Sequence, residues 1–176
     1  MAGHTDITEA LVLERNLVTL TQRVEFMETP SQLEDPNSPN YRKPLLTAEL
    51  YRVATLLYHH RVYASHLDRT QERQIYLEQA FDLLSQMHLC TSPWPLFVVA
   101  SEANSDGERL LILRMLDRMD EARKIGNVFV LRDIIQSFWK QQDLAADGDG
   151  GGAQPRWSGS WDLLFGEGKR AVPWFI

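Results

Sequence analysis

The sequence predicts an all-α protein: an antiparallel bundle or array of about six helices, with a flexible glycine-rich loop and an apolar C-terminal tail. Three observations predict it. Apolar residues recur at spacings of three and four along most of the 176 residues, as one face of a helix requires. Helix-start signals stand just ahead of several of these runs. Strand-like alternation is scarce, while hydrophobic residues at 44% suffice to fill a core.

The first helix is expected over Ile7–Glu28, opened by Asp6 and Glu9 as a capping pair. Ala10, Leu13, Leu17, Leu20, Val24 and Met27 make one apolar stripe along it. The stripe favours packing within the chain over a coiled-coil seam, which needs three or four sustained heptads. Residues 29–46 hold four prolines and several turn formers, so they read as a linker. The domain proper is then 47–176, following an N-terminal helix (1–28) and that linker.

A second helix is expected from Thr47 to Leu67, burying Leu50, Val53, Ala54, Leu57, Tyr58 and Val62. A third, Thr70–Met87, turns in Leu77, Ala80, Phe81, Leu84 and Met87 after a turn short enough for an antiparallel pair. Ser92-Pro93 opens a fourth, with serine as cap and proline where its missing N–H costs nothing. Leu96 to Ala100 are apolar on every side, which predicts burial all round. Ser105 and Glu108 form a capping box for a fifth helix reaching Lys124, its apolar face led by Leu110, Leu113, Leu116 and Met119. Gly126 is read as its stop and Asn127 as the cap of a sixth, which buries Val130, Leu131, Ile134, Ile135 and Phe138. Residues 145–160 read as a flexible loop. Trp161, Leu164 and Trp174-Phe175-Ile176 are expected to dock back on the helices.

Composition narrows the chemistry. Acidic residues outnumber basic ones 24 to 18, giving a net charge of −6, so the chain has no general attraction for a phosphate backbone. Arg69, Arg73, Arg114, Arg118, Arg123 and Lys124 each sit among carboxylates and read as solvated helix faces. One cysteine, Cys90, can form neither an internal disulfide nor a thiolate zinc site, which fits a reducing compartment. Neither a secretion signal nor an apolar run of about 20 residues is present, so an intracellular, membrane-free chain is expected.

Catalytic signatures are absent. The sequence holds no Gly-x-Ser-x-Gly elbow, no phosphate-binding loop and no His-Glu-x-x-His. His59 and His66 lie seven apart with His60 between them, but no third ligand follows, and His88-x-Cys90 reads as a helix end beside a half-buried thiol. The carboxylate pairs Asp117/Glu121 and Glu78/Asp82 read as surface charge. Glu102, among apolar neighbours, needs a partner if buried, and Arg109 is the expected one. Trp94 and Trp139 read as core anchors. No catalytic residue, cofactor or metal site is assigned.

Two blocks carry a family likeness. The first is ELYRVATLLYHHRVY, residues 49–63; the second runs from Ser92 to Asp143 through Trp94-Pro95-Leu96-Phe97, Ser101-Glu102-Ala103, Arg109, Gly126-Asn127 and Trp139. With Trp161-Asp162-Leu163-Leu164 they resemble the C-terminal part of the fungal-specific transcription factor domain, over residues 45–176. The resemblance implies an α-helical regulatory region of a nuclear transcription factor, of a kind that controls activity, dimerisation or response to metabolites, with no agreed catalytic residues. Members carry a six-cysteine zinc cluster near the N-terminus, and this chain has one cysteine. The resemblance therefore implies a truncated, nuclear or cytoplasmic regulator acting through protein partners or self-association, without its own DNA-binding module. The alternatives are a small-molecule-binding domain, with a pocket lined by Tyr51, Tyr58, Phe81, Trp94 and Phe97, and an enzyme using Glu102, His59 or His66 as acid–base groups.

Overall fold

Six helices make up all the regular structure of the computed structural model, which describes residues 2–21, 39–63, 69–123 and 126–147. They are α1 (Ala2–Thr19), α2 (Pro39–Val62), α3 (Thr70–Gln86), α4 (Pro93–Ala100), α5 (Asp106–Arg123) and α6 (Gly126–Asp147). The protein is all-α. Its chain divides into two compact units, Met1–Glu102 and Ala103–Ile176.

In the first unit α2 is the central helix, packed against α1, α3 and α4. Leu50, Val53, Ala54, Leu56 and Leu57 are wholly buried, so more than one face of α2 is covered. Tyr58 and Val62, expected inside, are exposed. The helix starts at Pro39, eight residues before the expected Thr47, so residues 39–46 form its first two turns rather than the end of a linker. Pro39 suits the first helical position. Pro44, one turn on, removes one donor from the ladder at about 3 kcal/mol, and tertiary burial further along outweighs that local preference.

The N-terminal helix also starts early, at Ala2, which places Asp6 inside it rather than at its cap. Its inward stripe is Ala10 and Glu14 with half-buried Ile7 and Leu17, whereas Leu13, and Leu20 just past the helix end at Thr19, are exposed. Val24 and Met27 lie outside the described residues. Helix α3 matches its expected span and buries Leu77, Ala80 and Leu84, with Met87 just beyond its end; Phe81 is only half-buried. In α4 every residue from Pro95 to Ala100 is buried, as an apolar run predicts. Ser92 takes the extended cap conformation (φ −115°, ψ 108°), but its hydroxyl makes no capping hydrogen bond.

The second unit pairs α5 with α6. The capping box of α5 forms as read: Ser105 N–H donates to Glu108 Oε2 at 2.9 Å and Glu108 N–H donates to Ser105 Oγ at 3.3 Å. The buried face of α5 is Ile112, Met115, Leu116 and Met119, while Leu110 is exposed. The reason is geometric. A spacing of three repeated along the chain drifts about 60° per step around the helix, so 110, 113, 116 and 119 share no single face. The set 112, 115, 116 and 119 does. In α6 the buried residues are Val128, Leu131, Ile135, Phe138 and Trp139, with Val130 exposed and Ile134 half-buried. Gly126 is the first residue of α6 and not a stop for α5, and the helix runs through Ala145–Asp147. The rest of the expected glycine loop, with Trp157, and the C-terminal apolar segments lie outside the described residues. Among those residues no helix is long and apolar enough to cross a membrane.

Candidate functional site

The last turn of α2 carries His59, His60 and Arg61 in succession. Cations are favoured there, because the carbonyl end of a helix is its negative pole. Successive residues turn by about 100°, so the three side chains divide between two buried polar clusters. The first faces α1. His59 Nε2–H donates to the Ala10 carbonyl at 3.0 Å, and His60 Nε2–H donates to Glu14 Oε1 at 2.8 Å. A carbonyl only accepts, so Nε2 bears the hydrogen of neutral His59. Arg69 lies 3.5 Å from the other Glu14 oxygen and 3.0 Å from Glu72, and the Tyr76 ring packs 5.4 Å from that of His60. Burial lowers the pKa of His59 below its ordinary 6.5; neighbouring His60 adds to the effect, and the Ala10 bond and Glu14 oppose it.

The second cluster centres on Glu102, just past the end of α4. Arg61 Nη2 meets Glu102 Oε1, and Arg73 from α3 binds Glu102 Oε2 through both Nε and Nη2. Arg61 also donates to Ser101 Oγ at 2.8 Å, and that hydroxyl donates to the Val98 carbonyl at 2.7 Å. Burial brings the Arg61 pKa down to about 10 despite the facing carboxylate, which still leaves it charged at neutral pH. One carboxylate thus ties α2, α3 and the end of α4 together. The partner expected for Glu102 was Arg109. Instead Arg109 forms a two-pronged pair with Asp143 (2.9 and 2.8 Å) in the second unit and lies 5.4 Å over the Trp139 ring. A nearby sequence position was a poor guide here; the true partners lie 41 and 29 residues away.

Glu49 and Arg52 complete the polar frame. Arg52 Nε donates to Glu49 Oε2 at 2.9 Å, and Arg52 Nη1 reaches the Leu17 carbonyl at 3.3 Å. That carbonyl lies in the last turn of α1, where carbonyls have no partner within their own helix. Tyr51 stacks on Trp94 with ring centroids 5.9 Å apart, and Tyr58 meets the same indole edge-on at 6.3 Å. Phe97 is core. Of the aromatics expected to line a pocket, Tyr51 and Tyr58 thus meet Trp94 while remaining exposed, and Phe81 is half-buried.

Chemically, Glu14, His59 and His60 bring three potential metal donors within 4.8 Å of one another. Glu14 was missed as a site residue because it stands 45 residues from His59 in sequence. The signal was present: a carboxylate between Ala10 and Leu17 on the apolar side of α1. Glu14 is engaged by His60 and Arg69, and Nε2 of His59 by a carbonyl, while Nδ1 of both histidines is buried without a hydrogen-bond partner. The cluster reads as a structural tie between α1 and α2. His66 lies outside the described residues. Arg69 and Arg73 of the expected basic set are committed to carboxylates. Cys90 is buried, its thiol pushed up to about 11 by desolvation, and it donates to the Ser92 carbonyl at 3.3 Å.

Both quoted sequence blocks meet in this unit: Tyr51 and Tyr58 of the first touch Trp94 of the second, and Arg61 of the first holds Ser101 and Glu102 of the second. The profile of the fungal specific transcription factor domain matches residues 4–171. The chain belongs to that family. The match takes in α1, upstream of residue 45 where the sequence likeness began. The chain is also similar to transcription factor iacI of Pestalotiopsis fici, 28% identical over 101 residues. That alignment takes in 57% of this chain and 26% of the relative, so it spans about a quarter of the relative's length. No solved structure matches the chain at a significant level.

Proposed function

We propose that this chain is a regulatory module of a transcription factor, working in the nucleus through contact with other proteins, most simply a second copy of itself. Family membership supports the regulatory role, and the net charge of −6 argues against these residues gripping nucleic acid themselves. One observation carries the protein-contact reading. The inward stripe of α1 is narrow, and apolar residues flank it on both sides: Leu11 and Val18 on one, Leu13 and Leu20 on the other. These four side chains are between 38% and 49% exposed. Apolar surface on both shoulders of a docked helix is what a partner would cover.

Light scattering after size exclusion tests it. The full chain is expected to self-associate as concentration rises through the micromolar range. The double variant Leu13→Glu/Leu20→Glu is expected to stay monomeric with an unchanged helical circular dichroism spectrum. A chain that is monomeric at every concentration, with or without the two glutamates, removes self-association as the contact.

A further inference from the structure

We propose that a cavity between the first turns of α2 and the end of α3 binds a small organic anion with an apolar body. The cavity has a volume of about 850 Å³, within the range of small-molecule sites. Its walls include Pro44, Leu46, Met87 and Leu89, and Arg42 and Lys43 also line it. None of the described lining residues is acidic, in a chain whose acids outnumber its bases.

Among the described residues, neither Arg42 nor Lys43 has a carboxylate within ion-pair distance. Arg42 Nη2 instead donates to the neutral Gln86 side chain at 2.8 Å. Gln86 Nε2 in turn donates to Asp82 at 2.8 Å, which keeps that carboxylate one link away from the guanidinium. The amide thus positions the guanidinium without neutralising it. An apolar body fits the walls, and an anionic head meets two uncompensated cations, so the polar end is not left unpaired. A cation is repelled, and a neutral analogue loses the charge-assisted bonds. The site stands on the geometry of α2 and α3 and is independent of contact through α1.

The test is calorimetric titration of the full chain with three isosteric probes: naphthoate, naphthamide and naphthylmethylammonium. Naphthoate is expected to bind saturably at one site, naphthamide about tenfold more weakly, and the cation not at all. Arg42→Ala/Lys43→Ala should lower naphthoate affinity about tenfold and leave naphthamide unchanged. Ala48→Trp, which builds an indole into the cavity, should abolish binding of both; Leu89→Trp does the same from the opposite wall if the first variant does not fold. Absence of saturable naphthoate binding overturns the proposal. So does equal affinity for naphthoate and naphthamide, or a naphthoate affinity that is unchanged when both cations are removed.

Discussion

Replacing Glu102 by glutamine tests whether one buried carboxylate holds the first unit together. The Glu102 side chain is 2% exposed, that of Arg61 7% and that of Arg73 25%. Glutamine keeps the shape, so no cavity forms and the loss is electrostatic. What remains is a buried guanidinium whose partner is neutral, a situation that costs about 3–5 kcal/mol. Domains of this size are stable by about 5–15 kcal/mol in all, so the variant should stand close to unfolding. In urea, with an m value of about 1.5 kcal/mol per M, the midpoint should fall by about 2–3 M at unchanged m. Arg61→Met should cost more than Arg73→Met, because Arg73 keeps partial access to water. A triple replacement, Arg61→Met/Glu102→Leu/Arg73→Met, should recover most of the loss, since apolar side chains of similar volume replace buried ion pairs at little cost. Far-UV circular dichroism follows the transitions. A midpoint shift below about 0.5 M for Glu102→Gln would refute the reasoning, as would a triple variant no more stable than the single one.

Two further predictions concern titration. Burial holds the His59 pKa below 6.5, so the unfolded chain takes up more protons than the native one once pH falls beneath that value. Stability should therefore decline on acidification below 6.5, with a slope from this group of at most about 1.4 kcal/mol per pH unit. His59→Gln, whose amide still reaches the Ala10 carbonyl, should flatten that part of the profile, and urea midpoints that fall in parallel for both proteins sink the idea. For Cys90, buried with its thiol pushed up to about 11, a disulfide reagent at neutral pH should react only as fast as the chain opens. Rapid native-state labelling would contradict its burial.

How far the sequence could be read depended on the kind of information involved. The all-α class, the α5 capping box and the burial of α4 were legible, because each rests on local spacing or on a run with no polar side. The α5 face was misread because repeated spacings of three drift around a helix. The start of α2 was misplaced because Pro39 and Pro44 look like loop punctuation until the burial of Leu50 to Leu57 shows what outweighs them. The polar site was the least legible. Glu14 with His60 and Glu102 with Arg61 join residues 46 and 41 positions apart, and no periodicity reports which of many charges lies opposite a given carboxylate.

The placement of those charges bears on how such a unit would respond to a partner. Helix α1 meets α2, and the contacts between them include a His59 hydrogen bond, the His60–Glu14 pair and the Arg52 bond to the Leu17 carbonyl. Its inward stripe adds Ala10 and half-buried Ile7 and Leu17, while Leu11, Val12, Leu13 and Val18 are exposed. Directional polar contacts fix the register of a helix at modest net stability, because each replaces a bond to water. Apolar area is what holds a helix firmly, and here much of it is free on both shoulders. A partner covering Leu11, Val18, Leu13 and Leu20 would therefore add the missing burial without disturbing the polar register. Coupling follows from that division: binding at the shoulders stabilises the docked position of α1, and with it the Glu14–His60 contact. Substituting Glu14 should accordingly weaken association, although Glu14 itself faces α2 and not the partner.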